Sequence, residues 1–365
     1  MKTRLFLLAL CIGLGPAPTV HATAGKKRIL VVSSYHKEYL WSQSTQKGLV
    51  ASLQEHRYLD TAQQGDAFTR TDHVESSKAV IRKEWMDTKR FNSQAALAAA
   101  TQRIMQVVQD FRPDLVMLGD DNAARYIGGQ LLDSTTPIVF WGVNGLPLKY
   151  GLVDNMDRPG HNITGVWQQG YPKESLQLLH RVVPAARTFA ILACDSETSR
   201  PWVRQIQFLA REGQLPLQLV ATVMTNSFEE FKDQALALTN KVDAFFVLNH
   251  DTMRDSHGKY VEMLTVGKWY LENIKKPEAT DQDQFVLEGM LLTANDYGYN
   301  QSYLAFGIAY EILEQGLNPG HIRPRTPARG PFMINTLRAD MLKIAINNEL
   351  GKEVQLVHSA AALEK

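Results

Sequence analysis

The chain has 365 residues, of which 44% are hydrophobic and 21% charged, and its formal net charge is +1. These values fit one large or two ordinary globular domains and exclude a globally disordered chain. A charge this close to zero gives no electrostatic basis for partnership with nucleic acid or acidic lipid.

Residues 1–24 read as a secretory signal peptide. Lys2 and Arg4 form a basic start, Leu5 to Leu14 an apolar core, and the small residues Ala22 and Ala24 follow. The apolar run is short for a bilayer span. Cys11 would be the site of any lipid attachment, but Leu10 stands where lipoprotein signals carry Gly, Ala or Ser. Cleavage removes Lys2 and Arg4 and no acid, so the formal charge changes by −2, from +1 to −1. It also leaves Cys194 as the single cysteine, so no intramolecular disulfide is available. The expectation is an exported protein of the periplasm, held together by its core.

Arg28 to Val32 reads as the first strand, and Ser44 to Gln54 as a helix with Ser42 or Ser44 as its cap. Asn92 can cap a longer helix whose Leu97, Ile104, Val108 and Phe111 share a face. "PDLVMLGDD" gives a strand from Leu115 to Leu118, and "PIVFWGVNG" one from Ile138 to Trp141. After "RPGHNITGV" the alternation restarts. A helix spans Lys173 to Val183, ended by Pro184. Strands follow at Phe189 to Ala193, in "LQLVATV", and at Ala244 to Leu248. Between the last two lies a helix opened by the Ser227/Glu230 capping pattern. Strand and helix alternate in two similar blocks, which predicts an α/β fold of two lobes with parallel sheets. The boundary near Gly165 is brief, so short hinge strands join the lobes.

In open parallel sheets ligands bind beyond the carboxyl ends of the strands. Those ends carry Ser34, Tyr35 and His36, with Trp41 close behind; Asp120, Asp121 and Asn122; Trp141 and Asn144; Asp195 and Ser196; and Asn249 and Asp251. Facing lobes would gather them into one cleft suited to a small polar molecule with a flat or apolar part. The helix near Ser44 would aim its N-terminus there and favour a carboxylate. Asp120 or Asp121 could hold an ammonium, or cap the helix through Ala123 and Tyr126. Tyr39 and Trp41 could equally pack over the strand end. No nucleophile-elbow, zinc-protease, P-loop or dinucleotide motif occurs, and no Cys/His cluster points to a metal. The expectation is a binding protein and not an enzyme, with no cofactor and no metal.

Several segments carry a resemblance: "ILVVSSYH" with "YLWSQSTQKGL", "PDLVMLGDDNAARYI", "PIVFWGVNGLP", "YGLVDNMDRPGHNITGV", "ESLQLLHRVVP", "VLEGMLLTANDYGYNQSYLAFGIAYEILEQGLNP" and "FMINTLRADML". The chain resembles the substrate-binding proteins of a bacterial ABC-transporter family whose better-known members bind tryptophan or tyrosine. The resemblance implies a type I periplasmic binding fold of two Rossmann-like lobes, with lobe 1 formed by 25–166 plus 293–322 and lobe 2 by 167–292 plus 323–365. It implies a monomer that hands a small ligand to a membrane ABC permease. Asn144-Gly145-Leu146-Pro147 replaces the Asp-Pro usual in transporter members. "EWMDTKR", "GDDNA", and Ser34 to His36 with Trp41 are closer to the extracytoplasmic sensors of histidine kinases. A soluble sensor that presents its closed form to a kinase or chemoreceptor is therefore the alternative.

Overall fold

The computed structural model describes residues 25–364; the segment 1–24 read as a signal peptide, including Cys11, lies outside them. Two sheets organise the chain. The first has the order β2-β3-β1-β4-β5-β6 and uses β1 (Lys27–Ser33), β2 (His73–Glu75), β3 (Ala79–Trp85), β4 (Leu115–Gly119), β5 (Ile138–Asn144) and β6 (Ile163–Gln168). All its pairings are parallel except β2 with β3. The second has the order β13-β12-β11-β10-β9-β7-β8. Its strands are β7 (Thr188–Ala193), β8 (Gln218–Met224), β9 (Ala244–Val247), β10 (Glu278–Thr280), β11 (Leu292–Ala294), β12 (Phe332–Asn335) and β13 (Gln355–Val357). Only β11 with β12 is antiparallel there.

The inner strands are apolar on both faces because both faces are covered. In β1, Ile29 and Val31 enter one core cluster and Leu30 and Val32 the opposite one. Strand β7 does the same, with Ala190 and Leu192 on one side and Phe189, Ile191 and Ala193 on the other. This period of two is what a strand imposes on its side chains.

The chain passes between the sheets three times: after β6, after β11 on the way to the helix Gly298–Gln315, and before β12. Arg325, ahead of the last crossing, bridges in parallel to Val166 of β6. The helix Gly298–Gln315 packs on the first sheet, with Phe306, Ile308 and Ile312 in its core, although β11 just before it belongs to the second. It lies against the helix Leu40–Glu55 at Gly48, where a Cβ would sit 2.0 Å from the Tyr299 carbonyl oxygen. Beyond β12 of the second sheet, Arg338 is fully buried and donates to both oxygens of buried Glu278 at 2.9 and 3.0 Å.

Local readings need correction at three helix starts. The first helix begins at Leu40 with Tyr39 as N-cap and no capping side chain, so Ser42 and Ser44 lie inside it. Ser93, not Asn92, caps the helix Gln94–Phe111 by accepting from the Ala96 N–H. Neither Asp120 nor Asp121 caps the helix after β4; the Ser34 hydroxyl accepts the Ala123 N–H from the neighbouring strand end instead. In the last two cases a residue one step away, or from another strand, takes the free N–H.

Candidate ligand-binding site

The carboxyl ends of the central strands face one another across the gap between the sheets, and the gap is closed. Tyr39, entering the first helix, donates its hydroxyl to Asp251, which follows β9. The Lys89 ammonium, beyond β3, lies 2.9 Å from the same carboxylate, and both residues are buried. Ser44 donates to Asp283 at 3.2 Å, Arg125 to Glu197 at 2.8 Å, and Gln282 to Gln168 at 3.1 Å. Tyr35, Tyr39 and Trp41 come from the first block yet pack into a core cluster with Cys194, Val247, Met253 and Phe285 of the second.

Two cavities share this interface. The inner one is walled by Tyr35, Tyr39, Trp41, Asp120, Asn144 and Gln168 from the first sheet's side and by Thr198, Asn249, Gln282 and Gln284 from the second's. Its walls nearly fill it, leaving about 10 Å³ for the centre of a water-sized sphere. The outer one is roomier, about 390 Å³ by the same measure. Its lining includes Lys89, Asn122, Arg125, Asp195, Ser196 and Arg200, and Tyr35 and Thr198 border both cavities.

Asp120 is the carboxyl group of the inner wall. It adopts φ +68°, a left-handed conformation that Asp tolerates better than most residues. Gly142 makes room for its carboxyl, since a Cβ there would lie 2.5 Å from Asp120 Oδ1. The Trp41 indole N–H donates to that oxygen at 2.7 Å. Burial pushes the Asp120 carboxyl well above its ordinary range; the Trp41 bond opposes this, and the nearby charge of Asp121 adds to it. The helix opened by Asp120 runs into a π-helical stretch, Ala123–Gly128, an irregularity frequent at functional sites.

The amides around Asp120 are oriented by their nitrogens. Asn144 Nδ2 donates to Asp121 at 2.5 Å and Asn249 Nδ2 to Asp251 at 3.0 Å. Gln284 donates to Gln282, which donates to Gln168, which donates to the Gly142 carbonyl. One N–H of each amide is thereby held inside the protein. Asn144 Oδ1, Asn249 Oδ1 and Gln284 Oε1 are left buried without a partner. Orphaned buried acceptors are costly, so their grouping around one cavity points to a donor from outside.

A family model described as ABC transporter substrate binding protein matches residues 75–357. The chain belongs to this family. A curated relative, the tyrosine-binding protein of Clostridioides difficile (strain R20291), is 27% identical over 217 residues, 58% of this chain and 59% of that protein. The match thus spans well under two thirds of the relative's length. Among solved structures, the ABC domain from Streptococcus pneumonia in complex with L-Trp aligns with TM-score 0.69 at 20% identity, covering 91% of this chain and all of that one. A conserved domain protein from Vibrio cholerae aligns with TM-score 0.69 at 15% identity, over 91% and 99%. A ligand-free, open substrate-binding protein with adhesive properties from Clostridium difficile gives 0.65 at 18%, over 91% and 99%. These likenesses show the fold, that of the type I periplasmic binding proteins.

Of the residues predicted for the cleft of this substrate-binding protein, Tyr35, Trp41, Asp120, Asn144 and Asn249 line the inner cavity. Asn122, Asp195 and Ser196 line the outer one with Tyr35. Asp251 stands behind the inner wall, where it anchors Tyr39, Lys89 and Asn249. Burial would raise its carboxyl, but Lys89 and these hydrogen bonds hold it below the usual range. Like Asp251, four further expected residues border neither cavity. Ser34 spends its hydroxyl on the Gly119 carbonyl and the Ala123 N–H. His36 pairs with Asp87 at 3.3 Å. Asp121 accepts from Asn144, Lys149 and Tyr150. The Trp141 ring packs over Gly119. The reading missed Gln168, Thr198, Gln282, Gln284 and Lys89. Lys89 carried a signal, a lysine just beyond a strand end within the "EWMDTKR" stretch. Among the described residues no group of three or more His, Cys, Asp or Glu is arranged to hold a metal ion, and no helix is long and apolar enough to cross a membrane.

Proposed function

We propose that this protein is exported to the periplasm by its N-terminal signal, binds a small polar ligand between its lobes, and delivers it as a monomer to an ABC permease without transforming it. The ligand is amino-acid-like or another small metabolite. The observation that carries this reading is the enclosed inner cavity, whose unpartnered acceptors come from both sheets: Asn144 from the first, Asn249 and Gln284 from the second. A ligand touching both lobes favours the closed arrangement by its differential affinity for it. The lobes meet at the crossings after β6, after β11 and before β12, which would serve as the hinge. Family membership supports transport, and the named ligands of the relatives, tyrosine and L-Trp, support an amine-bearing small molecule.

The test is uptake. A strain lacking this gene should lose accumulation of one labelled solute that the purified protein also binds with about one-to-one stoichiometry in native mass spectrometry. Retained uptake of every solute the protein binds, together with loss of a kinase-dependent response to it, would overturn transport in favour of sensing.

A further inference from the structure

Two buried carboxylates behind the inner cavity hold the same set of partners. Asp121, after β4, accepts from the Asn144 amide at 2.5 Å, the Lys149 ammonium at 2.7 Å and the Tyr150 hydroxyl at 2.8 Å. Asp251, after β9, accepts from the Asn249 amide at 3.0 Å and from the Tyr39 hydroxyl, and lies 2.9 Å from the Lys89 ammonium. In both sets the lysine also lies over the ring of its own tyrosine, 4.6 Å and 5.6 Å from the centroid. Asp121 and Asp251 border neither cavity, whereas Asn144 and Asn249 both line the inner one, from opposite sides.

The two ends of an asparagine amide have nearly the same shape and opposite hydrogen bonding. A carboxylate paired with an ammonium only accepts, so it draws the amide nitrogen and turns the oxygen away. Turned over, either amide would set its oxygen against the carboxylate, two acceptors face to face. The consequence is visible in both asparagines, which are buried. One N–H of each is held by its carboxylate, and Oδ1 has no partner. Each amide thus keeps Oδ1 and its second N–H for a ligand, in an orientation that the carboxylate decides.

The sets differ in one respect. Asp121 draws all its partners from the first sheet's side, since Lys149 and Tyr150 follow β5, the strand that ends in Asn144. Asp251 draws its lysine and tyrosine from across the gap, since Lys89 follows β3 and Tyr39 follows β1. The first set needs no closure, and the second is complete only when the two sides meet. We infer that Asp121 and Asp251 are positioning residues of the ligand site: Asp121 holds Asn144 ready in advance, and Asp251 fixes Asn249 only once closure brings Lys89 and Tyr39 onto it. This rests on the reading of the cleft as the ligand site.

Double-mutant cycles test it. The twenty amino acids, the nucleobases and ribose are the probes, measured by calorimetry on the signal-free protein, and the tightest is carried through the variants. Asn144→Ala and Asp121→Asn should each weaken that probe about tenfold. The double variant should be no weaker than Asn144→Ala alone, because Asp121 acts only through that amide. Tyr150→Phe removes one bond to Asp121 and serves the same cycle if Asp121→Asn does not fold. Its smaller loss should likewise vanish in the Asn144→Ala background. On the other side, Tyr39→Phe should raise the dissociation rate severalfold and leave the association rate unchanged in stopped-flow fluorescence, since encounter precedes closure. Losses that multiply in the double variant, or no loss from Asn144→Ala, overturn the inference while leaving solute binding intact. An unchanged dissociation rate or a slower association in Tyr39→Phe overturns the part assigned to closure. Failure of every probe overturns both this inference and the proposed function.

Discussion

At the scale of single residues, the lobe contact is acidic. Asp281, Asp283 and Asp296 follow the short strands β10 and β11 and are nearly fully buried. Burial pushes their carboxyls up to about 8, about 6 and about 7. Neither oxygen of Asp281 has a partner. An acid whose pKa is raised by folding binds its proton more tightly in the native state, so its contribution is complete below the unfolded value and declines as pH rises toward the folded one. His250 is raised too, the Glu288 carboxylate outweighing burial, and adds to the same slope. Lys83, lowered by burial to about 7, works the other way only above that pH. The melting temperature should therefore fall by several degrees between about pH 5 and about pH 7. Asp281→Asn should flatten that fall. An unchanged slope in the variant would mean that Asp281 is hydrated and ionised in the native protein. Few of these residue-scale facts were readable in the sequence. Asp120, Asn144 and Asn249 could be placed because each closes a visibly apolar strand. Gln168, Gln282 and Gln284 could not, because an amide at a strand end looks the same whether it faces solvent, a neighbour or a ligand.

At the scale of elements, the strands were readable and the caps were not. A buried parallel strand is a run of apolar residues, and β1, β4, β5, β7 and β9 all show one; β5 extends three residues beyond the apolar run because Gly142, Val143 and Asn144 remain buried. Caps depend on which oxygen reaches an N–H first, and the Ser34 hydroxyl crosses from another strand to do so. The contact between the helices Leu40–Glu55 and Gly298–Gln315 is equally non-local. Their residues are about 250 apart in the chain, yet Ser302 donates to the Thr45 carbonyl at 2.6 Å and Gly48 lies against Tyr299. Gly48→Ala would gain helix propensity but force backbone atoms apart, and overpacking of this kind costs about 1–3 kcal/mol. Urea unfolding should show the variant less stable than the parent. Equal or greater stability would mean that the helices separate freely at this point.

At the scale of the whole molecule, the two-block alternation predicted two lobes with mostly parallel sheets, and the family and fold agree with it. The closed arrangement was not predictable, because it depends on pairs between distant segments. The buried Lys89–Asp251 pair is one of these, and Tyr39 completes it. Lys89→Met would leave Asp251 buried without its cation, a change that typically costs about 3–5 kcal/mol. Parting of the lobes relieves that cost by admitting water to the carboxylate. The variant should therefore show a larger radius of gyration in small-angle scattering than the parent, with little loss of secondary structure. Identical scattering would assign the pair a purely local role.

Ligand binding between the two lobes is tested most directly by a crystal structure of the protein with a solute it binds and transports. The ligand is predicted to lie between the sheets, with a donor on Asp120 from the first and on Asn249 or Gln284 from the second. A ligand bound to one lobe alone, or away from Asp120, Asn144, Asn249 and Gln284, would contradict it.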